Sequence, residues 1–426
     1  QARAYNQKNW CHVVAPTNRR PYGFNWEDWG RIDAMEVLAE AKEVFQTDLQ
    51  RTYLTGHSMG GHGTWQIGVT YPVHFAAIAP CASYPDILGY ARRGRNADLE
   101  NNLHFQMLQR SANGGRTLQL KRNYLQSGIY ILHGSEDTVV PTEQARMMRD
   151  TLGNYHPNFC YYEYPGGSHW YGNESVDWEP LFNYFKWQSI PELNDINHIE
   201  FHTASPGISA SNYWLTIEQQ EEPLEFSTVD FQKEKDTITG EATNVAAIKF
   251  HLSQLAFEEK PVIIIDEQSI TPDGGSDILL KKESGVWKMA SRNTAEKNPV
   301  RNGGFKNAFD NHVVFVYATG GSREETEWYK TKALFDAETF QYKANGSIEV
   351  IADREFVPGD YPERNVVLYG NADNNRAWDL VLNEVPVVVK DGEIVFGDNI
   401  LKGDDMGAFF IYPRSGSETA SVGVVA

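Results

Sequence analysis

Ser58 stands in the stretch RTYLTGHSMGGHGTW, residues 51–65, between Gly56 and Gly60. A serine hydroxyl is a poor nucleophile until a base removes its proton, and that base needs a carboxylate to orient it. The G-x-S-x-G spacing follows a strand-like run at 52–55 and precedes a helix-like segment, which is the context of a nucleophile elbow. Such a turn needs glycine on both sides, because the serine backbone is strained and its neighbours pack closely. The backbone N–H of Met59, at the start of the helix, is then placed to donate to a developing oxyanion.

Two later loops carry the partner groups. HGSEDTVVP, residues 133–141, follows the apolar run GIYILH and offers Glu136 and Asp137. PGGSHW, residues 165–170, follows FCYYEY and offers His169. Adjacent side chains point apart, so one acid serves, and Asp137 is taken as the orienting carboxylate. His57 and His62 lie too near Ser58 in sequence to approach its hydroxyl correctly. His133 ends a strand and is read as a structural residue lining the site, and His156 follows a helix and is placed at the surface.

The elements that must hold these loops are legible from periodicity. Strands are expected at 10–15, 52–55, 75–80, 128–133 and 159–164, with helices at 32–45, after Ser58, at 143–152 and at 178–187. Strands alternating with helices predict a parallel sheet covered on both faces. In such sheets, functional loops leave the carboxyl ends of the strands, where all three loops fall.

Together TGHSMGGHGTW, HGSEDTVVP and PGGSHWYG, in the order Ser, Asp, His, resemble the α/β-hydrolase superfamily. They are most similar to prolyl oligopeptidase-like serine hydrolases and to the related polyhydroxybutyrate-depolymerase-like and feruloyl-type esterases. The resemblance covers about residues 1–190. It implies Ser58 as nucleophile, His169 as general base, Asp137 as orienting acid and the Met59 N–H as oxyanion donor, with an acyl-enzyme and no cofactor or metal. It also implies further strands before 10–15 in the chain, one of which lies between 10–15 and the elbow strand in the sheet and is followed by a His-Gly loop that would supply a second oxyanion donor. No such strand is found in this sequence, so the hydrolase module is expected to be a fragment whose amino-terminal part is missing. A true prolyl oligopeptidase carries a β-propeller before its hydrolase domain. Here the additional sequence follows instead, which leaves oligopeptidase specificity open.

Residues 84–126 are long for a strand-to-strand connection and are expected to form a helical cap. Residues 90–122 hold seven basic side chains against Asp98 and Glu100. They are read as a solvated or interdomain face that pairs with acids, in preference to a site for an anionic substrate. The formal net charge is −19, and residues 1–190 carry 17 basic and 18 acidic side chains, so nearly all the acidity follows residue 190. That balance disfavours nucleic acid. No apolar run is long enough for a transmembrane helix. Cys11, Cys81 and Cys160 are far apart, in strand-like contexts, and are read as buried thiols.

After residue 190 the texture changes. Short alternating strands at 198–203, 213–218, 246–252, 261–266 and 286–290 predict a β-sandwich-like module over 191–293. Trp214 and Trp287 could form a sugar platform there, but are assigned to the core. From 294 to 426 a smaller α/β module is expected, with strands at 313–317, 348–352, 366–369 and 408–412 and an acidic helix at 324–340. The ATGGS run at 318–322 lacks a nucleotide-binding pattern, and Glu324 and Glu325 would repel phosphate. The sequence thus predicts a serine hydrolase of a peptide or ester bond, with a small-molecule or peptide substrate. The alternatives are a carbohydrate-linked feruloyl or acetyl esterase and a catalytically silent binding protein. The accessory modules hint at export.

Overall fold

The computed structural model describes residues 2–17, 22–91, 102–273, 276–382, 384–403 and 405–426. It divides into two compact units, Gln1–Ser291 and Arg292–Ala426.

The first unit is built around a four-stranded sheet: β1 (Tyr53–His57), β2 (Ala77–Cys81), β3 (Gly128–Gly134) and β4 (Phe159–Tyr164), in that spatial order. All three pairings are parallel. β2 and β3 are buried along their whole lengths, as apolar strands covered on both faces must be. Helix α1 (Asp28–Phe45) and helix α2 (Met59–Thr70) supply much of that cover. One core joins Trp65, Ile67 and Val69 of α2 to Ile78, Ile129 and Ile131. A second joins Ala79 and Leu132 to Leu181, Phe182 and Phe185 of the helix Glu179–Lys186.

The expected strand at 10–15 is absent: residues 11–17 take no regular secondary structure. A strand exists by pairing its backbone with a neighbour, and among the described residues β1 pairs only with β2. A cavity of about 920 Å³ lies against β1, lined by residues 10–16 and by Met35, Leu38 and Phe45 of α1. Side-chain contacts hold the segment instead, with His12 stacked on Phe45 at 4.4 Å and Trp10 edge-on to Tyr53 at 6.1 Å. The thiols also depart from expectation. Cys81 is buried, Cys11 is half-buried and Cys160 is exposed, because β4 is the last strand of the sheet and alternates in exposure.

Residues 84–126 are helical over Ile87–Ala91, Leu103–Ser111 and Thr117–Leu120. Leu120 and Tyr124 are buried, and the Tyr124 hydroxyl donates to the Trp65 carbonyl at 2.6 Å, so this end of the insertion is core rather than cap. Arg92, Arg93 and Arg95 lie outside the described residues. Arg110 pairs with Glu225, Arg116 with Asp86 and Arg122 with Glu200. The basic stretch thus meets acids, two of them beyond residue 190.

Residues 198–290 form two five-stranded sheets around one core. Trp214 and Trp287 lie inside it, their indole N–H groups donating to the Ile196 carbonyl and to Asp266. The strands Ser227–Glu234, Thr237–Thr243, Gln268–Ile270 and Ile278–Glu283 went unpredicted, because their outward residues are polar and their apolar runs short.

In the second unit, Val313–Tyr317 pairs in parallel with Glu349–Ala352 and Asn365–Tyr369. Ser421–Val425 extends the sheet in parallel and Phe409–Pro413 closes it antiparallel. The helix Arg323–Ala344 opens on a capping box in which Ser322 and Glu325 satisfy each other's backbone N–H groups. A carboxylate therefore occupies the place a phosphate would need. No helix among the described residues is long and apolar enough to cross a membrane.

Candidate active site

Ser58 joins β1 to α2 with φ +59° and ψ −119°, a strained backbone for a residue with a side chain. Its N–H donates to the Cys81 carbonyl at 3.0 Å, and its carbonyl accepts the His62 N–H at 2.9 Å. The turn closes so tightly that a Cβ on Gly56 would lie 2.2 Å from the Gly60 carbonyl oxygen. Met59 is the first residue of α2, so its N–H has no carbonyl one turn back to bond.

The two other loops are tied to each other where β3 and β4 end. Ser135 N–H donates to the Tyr164 carbonyl at 3.0 Å and Glu136 N–H to the Gly167 carbonyl at 2.8 Å. Gly166 N–H donates to Ser135 Oγ at 2.8 Å. The ladder thus continues past the strands and brings Asp137 to His169.

These contacts assemble the three sequence-predicted residues. His169 Nε2 is 2.9 Å from Ser58 Oγ, and His169 Nδ1 is 2.8 Å from Asp137 Oδ2. The carboxylate accepts the Nδ1 hydrogen, which leaves the Nε2 lone pair facing the serine hydroxyl. Asp137 Oδ1 accepts the N–H groups of Val139 and Val140, each at 2.9 Å. The Asp137 side chain is wholly buried. Burial pushes its carboxyl upward, but bonds from His133, His169 and Val140 outweigh this and hold it at about 2. Glu136, its rival, is exposed.

The four other histidines weighed in the sequence are placed as follows. His62 is buried between Glu27 and the Tyr84 carbonyl, away from the hydroxyl. His156 is buried, not at the surface as expected: Nε2 donates to the Tyr124 carbonyl and Nδ1 accepts the Asn158 N–H. The loop after that helix turns inward to enter β4. His57 and His133 are both buried against the Asp137–His169 pair, a contact that sequence reasoning missed for His57. The one signal was the four-residue step from His133 to Asp137. Trp170, half-exposed beside His169, and the stacked pair Tyr84–Tyr90 were also passed over. The Tyr90 hydroxyl donates to the Val139 carbonyl at 3.1 Å, which links this aromatic pair to the acid loop. Among the described residues there is no cluster that could hold a metal ion.

Residues 19–189 match the prolyl oligopeptidase family. The match covers the Ser58, Asp137 and His169 motifs together, and the parallel sheet is consistent with the α/β-hydrolase fold. The chain is also 24% identical over 235 residues to an uncharacterized secreted protein of Arthroderma benhamiae, across 52% of this chain and 25% of that protein. It therefore spans about a quarter of that relative's length. Similar solved structures include a thermostable esterase, at 21% identity and TM-score 0.27, over 38% of this chain and 37% of that one. Another is a putative dipeptidyl aminopeptidase IV from Bacteroides ovatus, at 18% identity and TM-score 0.30, over 37% of this chain and 22% of that one. A carbohydrate esterase from gut microbiota, in truncated form, has 18% identity and TM-score 0.29, over 37% of this chain and 66% of that one.

Proposed function

We propose that this protein cleaves a carboxylic ester or peptide bond with Ser58 as nucleophile, His169 as general base and Asp137 as orienting acid. The observation that carries the reading is the unbroken relay from Ser58 Oγ through His169 to Asp137, at 2.9 and 2.8 Å. Ser58 Oγ attacks the carbonyl carbon while its proton passes to His169 Nε2, and Asp137 stabilises the imidazolium. The Met59 N–H donates to the oxyanion. The imidazolium then protonates the leaving alcohol or amine, and water, activated by the same histidine, releases the acid from the acyl-enzyme.

Residues 1–190 are the catalytic module in this reading, 191–293 and 294–426 its accessory modules. A fluorophosphonate probe on the full chain should label Ser58, and Ser58→Ala should abolish labelling. A folded wild-type chain that stays unlabelled would refute the reading. Rates on p-nitrophenyl esters, feruloyl and acetyl sugar esters, and peptide amides then decide between esterase and peptidase.

A further inference from the structure

Two buried histidines with no step in the reaction stand against the relay. His133, on β3, has Nε2 2.9 Å from the Val140 carbonyl and 3.3 Å from Asp137 Oδ2. A carbonyl only accepts, so Nε2 carries the hydrogen and shares it between the two oxygens. Oδ2 is the same oxygen that receives the Nδ1 hydrogen of His169. His57, at the end of β1, has Nε2 2.7 Å from the backbone carbonyl of His169, and so donates there. Its ring lies 4.8 Å from the His169 ring and meets Trp170 edge-on at 5.2 Å. One histidine therefore grips the carboxylate of the relay, and the other grips the backbone of its base.

We propose that His57 and His133 are positioning residues for this reaction, which together hold the His169 ring and the Asp137 carboxylate in register with Ser58. The proposal rests on the hydrolase reading above. A core histidine needs only some carbonyl to satisfy its N–H. Here the His57 donor goes to the backbone of the general base, the His133 donor is shared between the Val140 carbonyl and the carboxylate that orients that base, and the two come from different strands. His57 sits one residue before the nucleophile, so its bond couples the elbow directly to the His169 loop. His133 acts differently, because it competes with His169 for Oδ2. Without it, Oδ2 is a stronger acceptor for the His169 N–H and favours the imidazolium. The titratable groups facing the pair are His133 from β3, His57 from β1 and, from the loop after β4, Tyr171, whose hydroxyl burial raises. Beyond Tyr171, at the end of β2, burial pushes the Cys81 thiol up to about 12. Neither Tyr171 nor Cys81 changes charge in the range where a general base works.

The test uses the full chain, a fluorophosphonate probe and a p-nitrophenyl ester. His133→Phe should lower kcat about ten- to a hundredfold with KM within about twofold, because displacement of catalytic groups falls on the chemical step. It should also move the acidic limb of kcat/KM to higher pH, and His133→Gln, which keeps an N–H, should recover both. His57→Leu should lower kcat while leaving that limb in place, and His57→Gln should recover it. Folded Phe and Leu variants with wild-type kcat and pH profile would overturn the proposal. So would Gln variants that lose activity in step with melting temperature, as a purely structural role requires. Histidine ¹⁵N NMR of the wild type tests it without any variant: both rings must carry hydrogen on Nε2, and an Nδ1–H tautomer in either overturns it. A wild-type chain that is neither labelled nor active would overturn the hydrolase reading itself, and the proposal with it.

Discussion

Replacing Gly134 by alanine should disable the relay without touching any of its three members. Gly134 ends β3, three residues before Asp137, and packs against the backbone that leads into His169. A Cβ there would lie 2.3 Å from the Gly167 carbonyl oxygen and 2.5 Å from that of Ser168. Real Cβ contacts essentially never fall under 3.0 Å, so the end of β3 and the His169 loop must part by about 0.7 Å. The atoms in the way are backbone, so no rotamer change relieves the clash. His169 starts at 2.9 Å from Ser58 Oγ, and a parting of that size along the bond would stretch it to about 3.6 Å, beyond hydrogen-bond range. Misplacement of about 1 Å costs roughly 10²-fold in rate, or about 3 kcal/mol of transition-state stabilisation. Overpacking itself should cost about 1–3 kcal/mol of fold stability. The assay is the pseudo-first-order rate of fluorophosphonate labelling at Ser58, with kcat and KM on a p-nitrophenyl ester beside the melting temperature. Gly359→Ala, where an added Cβ meets nothing within 4 Å, is the control. A Gly134→Ala protein with wild-type labelling and kcat would refute the claim that contact between the two loops sets the geometry.

Asp137→Asn should reduce kcat by about 10⁴ with KM little changed, since an amide cannot hold the required tautomer; a loss under tenfold in a folded protein would count against Asp137 as the orienting acid. Melting temperature should fall as pH drops through the histidine range. Burial pushes His57 down to about 4 and His156 down from 6.5, so the unfolded chain binds the extra protons. Their contribution is present above about pH 6.5 and is lost on acidification. Asp137, held at about 2 against an ordinary 3.8, adds a further loss between those values. A melting temperature flat from about pH 7 to 4.5 would contradict this. Asn123→Ala should cost about 2–4 kcal/mol in denaturant unfolding, because three buried bonds vanish. Its amide donates to the Val69 and His202 carbonyls and accepts the His202 N–H, which ties α2 to the strand His198–Thr203. A cost under about 0.5 kcal/mol would show that the junction is held elsewhere.

Much of the first unit was legible because its signals are local. β3 is a nearly continuous apolar run and β4 an aromatic-rich one, both predicted within a residue, and the parallel order follows from strands alternating with helices. What failed depended on partners. Residues 10–15 have the composition of a strand, yet a strand is a relation between two backbones. His156 looks like a surface residue from its helix-end position, and only the turn into β4 buries it. In 198–290, the strands with polar outward faces escaped notice, since their inward residues gain meaning only once two sheets close on one core.

The candidate site divides the same way. Sequence alone determined its chemistry: a serine in a glycine-bounded turn, a carboxylate and a histidine each after a strand, in one order. Those features are local and carried by residue type. Tertiary structure decided which groups touch. Asp137 is already preferred to Glu136 in the sequence, and the folded loop supplies the physical reason: Asp137 points inward to the N–H groups of Val139 and Val140, and Glu136 is exposed. The same folding set His57 against the backbone of His169, and brought His133, read from the sequence as lining the site, onto the Asp137 carboxylate. The 2.7 Å hydrogen bond from His57 to the His169 carbonyl joins residues 112 positions apart; it depends on how strands are stacked, and no spacing along the chain encodes that distance.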